Sequence, residues 1–375
     1  MSGTSFSILL KEKKVEYIEL IFDLIFVYLL GRSASLLDRV EAGFLSFSTI
    51  AQYLASSLIF IQIWYYSTLY INRYGKNGVR ENVMLMINMF LLYVMGAMTG
   101  LGWDINYPLY SIAWSLILVN LAVNYLMQLK IPESCVKRHV RQNAVLLLAQ
   151  AVLIVASIPL YSATGYAAGV WVMVLGFAVT PFMMRVPVHF GHLTERVMLY
   201  VVFTFGEMII VVAEYFSDGF SLQTLYYALM SFLIVAGLFY SYGFTYDKLL
   251  DREGEKDGSA YMLLHVFLIL SLSFVTTSLE FLRETEIHDL PKTLMMLISL
   301  LVFYACLAMT EHWSTHRILR KRRFFVALAA EFALFVLALM LSLGNGNLSM
   351  AVMVLFIYAQ LGTLHLSEKQ TQLGE

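Results

Sequence analysis

Apolar residues occur along this chain in runs of about 20, and short polar breaks separate the runs. A helix needs about 20 mainly apolar residues to cross a bilayer, whereas barrel strands alternate apolar and polar residues and give no such runs. The pattern therefore predicts an all-α polytopic membrane protein with about twelve transmembrane helices. The predicted spans are 17–36, 47–71, 82–102, 108–129, 143–161, 164–184, 195–215, 222–246, 260–281, 293–312, 324–343 and 349–366. Because the breaks at 160–165 and 343–348 are short, the spans on either side of each could also form one bent helix.

Acidic residues interrupt two of these runs at corresponding places. Residues 15–27 read VEYIELIFDLIFV, and residues 202–212 read VFTFGEMIIVV. An ionisable side chain inside a membrane costs a few kcal/mol or more and usually faces a partner or a water-filled cavity. Asp23 and Glu207 are therefore the first candidates for a functional site.

The two halves of the chain resemble each other. Besides the two acidic segments, span 47–71 and span 222–246 both end in tyrosine-rich stretches that carry a polar residue, Asn72 and Asp247. We predict two parallel six-helix repeats, residues 1–186 and 187–375, related by an axis along the membrane normal. The alternative is chance similarity between two aromatic belts at the membrane interface.

Composition and charge agree with a membrane protein. The 375 residues are 59% hydrophobic and 14% charged, against about 25% charged in an average soluble domain. With the N-terminus inside, 21 of the 25 Lys and Arg residues fall on the cytoplasmic side, which predicts cytoplasmic termini. We expect no cleavable signal peptide, because acids break the first apolar run. The two cysteines indicate neither a disulfide framework nor a metal site.

The first span carries three acids on one helix face. Glu16, Glu19 and Asp23 are spaced by three and four residues. They predict either an acidic stripe that leads inward from the cytoplasm, or an interfacial helix start whose acids pair with lysines or with Arg196.

The central segment and two polar stripes supply the remaining candidates. His192, Glu195 and Arg196 form a cluster at the cytoplasmic edge, where His189, His192 and Glu195 have metal-compatible spacing but no second metal signature supports a site. The polar stripes either line a hydrated pathway or serve as hydrogen-bonding contacts between helices. They contain His265, Ser273, Thr276 and Glu280 in one span and Asn120, Asn124 and Gln128 in another.

Several ordered blocks of this sequence resemble the bacterial low-temperature-requirement A (LtrA) family. They are residues 15–27, the Trp64 to Tyr74 segment, the His-Leu-Thr-Glu-Arg block at 192–196 with Gly206-Glu207, the tyrosine-rich end of span 222–246, and Tyr-Met-Leu-Leu-His at 261–265. The resemblance covers nearly the whole chain. It implies a multi-pass plasma-membrane (inner-membrane) protein linked to growth in the cold, a stress response, with no biochemical activity established for the family.

We predict a transporter or channel that moves protons, cations or a small solute along a polar route between the repeats. Asp23, Glu207, Glu19, His265 and Glu280 are the predicted ion- or proton-binding residues. The supporting polar residues are Glu195, Arg196, His192, Asn72, Asp247, Asn120 and Asn124. We expect no catalytic residue, metal or cofactor, and as partners the lipid bilayer and an ion or solute but no nucleic acid. The alternatives are an intramembrane lipid-modifying enzyme, which no strong nucleophile supports, and a noncatalytic scaffold or cold sensor.

Overall fold

A computed structural model describes residues 13–38, 40–41, 43–100, 103–183, 188–217, 219–252, 258–282, 287–314 and 322–372. These ranges form long helices, which we number α1 to α12, joined by single helical turns and a two-stranded hairpin, Val40–Glu41 with Phe44–Leu45. The helices are α1 Tyr17–Ala34, α2 Phe47–Tyr74, α3 Val79–Gly100, α4 Trp103–Met127, α5 Ser134–Ser157, α6 Ala167–Met183, α7 Phe190–Ala213, α8 Leu222–Phe244, α9 Gly258–Phe281, α10 Asp289–Thr310, α11 Arg322–Leu341 and α12 Gly346–Gln372.

Eleven of the predicted spans are confirmed, since eleven helices in the described ranges are long and apolar enough to cross a membrane. The predicted span 164–184 is not among the eleven. Within the described residues, helix α6 has 17 residues, which is about 25 Å at 1.5 Å per residue, and residue 184 lies outside them. The predicted start is corrected, since Thr164 belongs to the separate turn Tyr161–Thr164 and α6 begins at Ala167.

Both short breaks separate two helices and do not bend one. Gly165 and Gly344 lie there with φ of +56° and +84°. Glycine takes this left-handed conformation readily because it has no Cβ, and such a residue ends a helix. The alternative of merged, bent helices was therefore wrong at both places.

The outer surface of the helices is apolar. Phe90, Trp171 and Leu355 are 65%, 67% and 70% exposed, and large apolar side chains are exposed along most of the helices. A soluble monomer rarely exposes so much continuous apolar surface. The helices are therefore those of a polytopic membrane protein whose outer side chains face lipid.

The chain divides into two compact units. The first contains residues 1–39, 46–200 and 253–262, and the second contains residues 40–45, 201–252 and 263–375. The predicted repeat boundary at 186/187 lies outside the described residues. The repeats and the cytoplasmic position of the termini stay predictions.

Helix α2 is the centre of the first unit. It packs on α1, α4 and α6, and every residue from Ile59 to Tyr74 is buried. Ser46 caps its N-terminus, where the Ser46 hydroxyl accepts a hydrogen bond from the Thr49 amide at 3.2 Å. A helix enclosed in this way can present polar side chains to its neighbours without exposing them to lipid.

Hydrogen bonds between glutamines join α2, α5 and α6. Gln150 Nε2 donates to Gln62 Oε1 at 2.8 Å, and Gln62 Nε2 donates to the Met173 carbonyl at 2.8 Å. Gly176 makes room for this contact, because a Cβ there would lie 2.6 Å from Gln150 Nε2 and 2.7 Å from Gln62 Nε2. The close approach of α6 therefore requires glycine.

In the second unit, α12 packs on both α8 and α11. Glu331 of α11 accepts hydrogen bonds from Gln360 Nε2 at 2.9 Å and from the Thr363 hydroxyl. An acid inside an apolar helix is thus supplied with two donors from the neighbouring helix, as expected where a polar group is buried.

Candidate functional site

Asp23 lies at the middle of an ion-paired cluster in the first unit. Its side chain is fully buried. The carboxylate accepts hydrogen bonds from Arg196 Nε at 3.2 Å, from Arg196 Nη2, and from Trp64 Nε1 at 2.8 Å. Two donors from a guanidinium fork give a strong, directional contact, so Asp23 is held in one position.

Arg196 joins both acids of α1. Glu19 precedes Asp23 by four residues and therefore lies on the same helix face. Arg196 Nε is 3.4 Å from Glu19 Oε2, and the Arg196 side chain is fully buried. Of the two interpretations of the acidic face, pairing with Arg196 is the one that the contacts support for Glu19 and Asp23.

His192 lies one turn before Arg196 on α7 and links Glu19 to Asn72. His192 Nε2 is 3.1 Å from Glu19 Oε2, and His192 Nδ1 is 3.0 Å from Asn72 Nδ2. The Asn72 amide is oriented by the backbone of His189: its Oδ1 accepts from the His189 amide at 2.9 Å and its Nδ2 donates to the His189 carbonyl at 3.0 Å.

These contacts fix the tautomer of His192. Because Asn72 Nδ2 can only donate, His192 Nδ1 has to accept, and the ring proton lies on Nε2, where it is donated to Glu19. Both ring nitrogens are thereby occupied. The metal site considered for His189, His192 and Glu195 is not supported, since His192 has no free lone pair for a metal.

Lys13 approaches Glu19 from the chain segment before α1. Its ammonium lies 4.0 Å from Glu19 Oε1 and donates to the Ile71 carbonyl. Burial lowers the pKa of Lys13, and the negative charge of Glu19 offsets part of that shift. Gly75 leaves space for this contact, since a Cβ there would lie 2.9 Å from the Lys13 ammonium nitrogen.

A small cavity of about 30 Å³ adjoins Glu19 within the first unit. We call it the oxygen-lined cavity. Its polar lining comes from α1, α2, α3, α4 and the α2–α3 connection. These side chains are Glu19, Ser67, Asn77, Glu81, Asn82, Asn88 and Asn124. The volume suits about one water molecule or one ion without its hydration shell.

The asparagines of α4 take part in contacts between helices. Asn120 Nδ2 donates to Asn88 Oδ1 at 2.7 Å and to the Met84 carbonyl at 2.9 Å. Gln128 Nε2 donates to the Tyr70 hydroxyl at 2.9 Å. Of the two interpretations of this polar stripe, hydrogen-bonding contacts between helices fit Asn120 and Gln128. Asn124 also lines the oxygen-lined cavity.

The other predicted site residues have different surroundings. Glu195 is half-buried, about 100° around α7 from Arg196. In the second unit, Glu207 and Glu280 are both half-buried and close enough for their charges to interact. His265 is fully buried, and its ring centroid is 6.0 Å from that of Tyr242.

Asp247 is an exposed surface residue. It pairs with Arg252 at 3.2 Å, and the Asp247 side chain is 69% exposed. Asp23 and Glu207, both predicted to bind an ion or proton, lie in different units, and a joint role for them stays a prediction.

Sequence reasoning missed several residues of the site. Trp64, Lys13 and the cavity side chains Ser67, Glu81 and Asn82 were not among the candidates. A buried tryptophan needs a hydrogen-bond acceptor, and Trp64 lies in a block that the resemblance had already marked. That block was the available signal for Trp64.

Comparison with known proteins gives one family. A family model described as bacterial low temperature requirement A protein (LtrA) matches residues 14–358. A search of curated proteins gave no match. The matched range includes α1 to α11 and about the first half of α12, and it contains every side chain of the ion-paired cluster except Lys13.

Proposed function

The chain belongs to the bacterial low temperature requirement A family, and we propose that it is a plasma-membrane transporter or channel that moves protons or small cations. The observation that carries the proposal is the hydrogen bond between Glu19 and His192 beside the oxygen-lined cavity, within helices apolar enough to span a membrane. Ionisable side chains in such helices are expensive, and in known membrane proteins they mark ion pathways and proton relays.

Glu19 is the group that we assign to binding and releasing the transported cation or proton. It differs from Asp23 because one of its neighbours is a cavity, whereas Asp23 is surrounded by Arg196 and Trp64. The Nε2 proton of His192 is already directed at Glu19. This hydrogen bond favours the charged carboxylate, which is the form of Glu19 that binds a cation or accepts a proton.

Asp23 and Arg196 act in this proposal as the fixed part of the cluster. Arg196 stays protonated in proteins, and its charge is balanced by Asp23 at hydrogen-bond distance. The pair holds α7 against α1, so that His192 keeps its distance from Glu19. Loss of Asp23 would therefore disturb structure first and transport as a consequence.

Glu207 and Glu280 form the candidate pair of the second unit. Two nearby carboxyls cannot both carry a charge without cost, so such a pair holds a shared proton or a cation readily. The interaction between Glu207 and Glu280 supports a role in the same process.

The proposal is tested in proteoliposomes that contain a pH-sensitive dye. A proton gradient is imposed, or a cation gradient with a protonophore present so that charge-balancing proton movement reports cation flux, and the rate of internal pH change is compared for wild type and Glu19→Gln. Wild type should exceed empty liposomes, and Glu19→Gln should fall to the rate of empty liposomes because glutamine cannot exchange a proton or carry the charge.

Glu214→Gln is the matched control, since Glu214 is exposed after the end of α7. This variant should keep the wild-type rate. Equal rates in wild-type and empty liposomes under all gradients would refute the proposal, and so would full activity of Glu19→Gln.

A further inference from the structure

We propose that the oxygen-lined cavity is a binding site for a monovalent alkali-metal cation. The inference rests on the proposed function in that it names a transported species, but binding can be measured without transport. It depends on three observations: buried oxygen atoms without partners on residues that line the cavity, the local balance of charge, and the cavity volume.

Three side chains that line the cavity carry a buried oxygen without a hydrogen-bond partner among the described residues. They are Ser67 Oγ, Asn82 Oδ1 and Asn124 Oδ1. Ser67 and Asn124 are 1% and 4% exposed. A buried acceptor left unpaired costs about 1–3 kcal/mol, and three such acceptors on residues that line one cavity favour a bound cation there.

The orientation of the Asn124 amide is fixed by a second contact. Asn124 Nδ2 donates to the Asn120 carbonyl one turn earlier, at 3.0 Å. A carbonyl cannot donate, so the nitrogen has to occupy that position and Oδ1 has to be the unpartnered atom. The unpartnered atom of Asn124 is therefore an oxygen, which is the ligand that hard cations prefer.

The charges around the cavity leave room for one positive charge. Three carboxylates, Glu19, Asp23 and Glu81, are buried in or next to the cluster, against the buried Arg196 and the half-buried Lys13. The buried Arg73 of α2 is directed elsewhere, to His139 at 3.4 Å. A net negative charge in a low-dielectric region is unfavourable unless it is compensated. One bound monovalent cation makes the net charge around the cavity zero, whereas a divalent cation would make it positive.

The volume favours the same class of ion. Mg²⁺ normally keeps several waters of its hydration shell, and Ca²⁺ takes six to eight oxygen ligands with several carboxylates. A cavity of about 30 Å³ has space for about one water-sized particle. An alkali-metal ion that has exchanged its water for the oxygens of Glu19, Ser67, Asn82 and Asn124 fits this space.

The connection between α2 and α3 forms part of the cavity wall. Gly75 and Asn77 of this connection line it. Glu81 is fixed there, because its Oε2 accepts from the Lys76 amide at 2.7 Å. Arg80, whose side chain is 50% exposed, lies 3.8 Å from Glu81. Because Arg80 is solvated, it compensates the buried charge only weakly.

The test measures thermal unfolding of the purified full-length protein in detergent. Choline chloride is replaced stepwise by sodium, potassium or rubidium chloride at constant ionic strength. A ligand that binds only the folded state raises the unfolding midpoint in a saturable way. We expect one of the alkali cations to do so, and Asn124→Leu to weaken its apparent affinity by about tenfold or more.

Asn143→Leu is the matched control. Asn143 also donates to the carbonyl one turn earlier, the His139 carbonyl at 2.9 Å, and also has a buried Oδ1 without a partner, but it does not line this cavity. It should keep wild-type affinity. Ser67→Ala is a smaller change and should also weaken binding. It takes the place of Asn124→Leu if that variant does not fold.

Three results would overturn the inference: no alkali cation acting differently from choline, unchanged affinity in both cavity variants, or stabilisation by divalent cations alone.

Flux in liposomes separates this inference from the proposed function. Cation binding without any flux refutes transport and supports the site, whereas proton flux without cation binding refutes the site and supports transport.

Discussion

Replacing Arg196 by methionine tests the ion-paired cluster by removing its central cation. Methionine keeps much of the length of the side chain and fills irregular space, so the main loss is the charge and its hydrogen bonds. Asp23 would keep only the Trp64 donor at 2.8 Å, while Glu19 would keep His192 and Lys13. Removing one partner of a buried ion pair costs about 3–5 kcal/mol of folding free energy.

The free energy of unfolding is measured by titrating dodecyl-maltoside micelles with sodium dodecyl sulfate. A double variant, Arg196→Met with Asp23→Asn, separates the ion pair from other losses because it leaves no uncompensated carboxylate at that position. The double variant should lose about 0.5–3 kcal/mol less than the sum of the losses in Arg196→Met and Asp23→Asn, the usual size of coupling between residues in contact. Arg80→Met is the control, since a solvated ion pair contributes about 0–1 kcal/mol.

A loss below about 1 kcal/mol in Arg196→Met would refute this reasoning, because it is the size expected for a solvated pair. Strict additivity of the two substitutions would also refute it, since it would mean that Arg196 and Asp23 do not stabilise each other.

Three further predictions concern packing, one hydrogen bond and pH. Gly176→Ala should lower the unfolding free energy by about 1–3 kcal/mol through overpacking. Gly362→Ala, where a Cβ meets nothing within 4 Å, should be neutral or stabilising by up to about 1 kcal/mol. The same micelle titration measures both variants. Trp64→Phe removes the 2.8 Å donor to Asp23 and should cost about 1.5–3 kcal/mol, and an unchanged unfolding curve would contradict that contact. Because burial lowers the pKa of Lys13 in the folded protein below its ordinary 10.5, the unfolded state binds more protons and stability should rise with pH towards 10.5. Unfolding midpoints of Lys13→Met should lack this rise, and parallel pH profiles of the two proteins would contradict it.

The helices could be predicted from the sequence because the signal is local. A bilayer-length apolar run identifies a helix by itself, and eleven of the twelve predicted spans follow it. The exception, α6, begins at Ala167 and not at residue 164, because Gly165 adopts a positive φ between α6 and the turn Tyr161–Thr164. Hydropathy counts residues and does not register such a conformational break.

Within the site, the sequence predicted which residues lie together only where they share one face of one helix. The spacing of Glu19 and Asp23 puts them side by side, and Arg196 was one of the partners considered. The contact between Asn72 and His192 joins residues 120 positions apart, and no local pattern specifies it. The oxygen-lined cavity had no signal either, because a serine or asparagine in a membrane helix gives the same pattern whether its oxygen is bonded to a neighbour or left facing a void.

Uptake of radioactive sodium, rubidium and, with a pH dye, protons into liposomes that hold the purified protein is the most direct measurement of the central claim. Vesicles with wild-type protein should accumulate at least one of these species faster than protein-free vesicles, and Glu19→Gln should abolish the difference. Wild-type vesicles that accumulate none of them above the protein-free level, at any gradient or membrane potential, would contradict the claim.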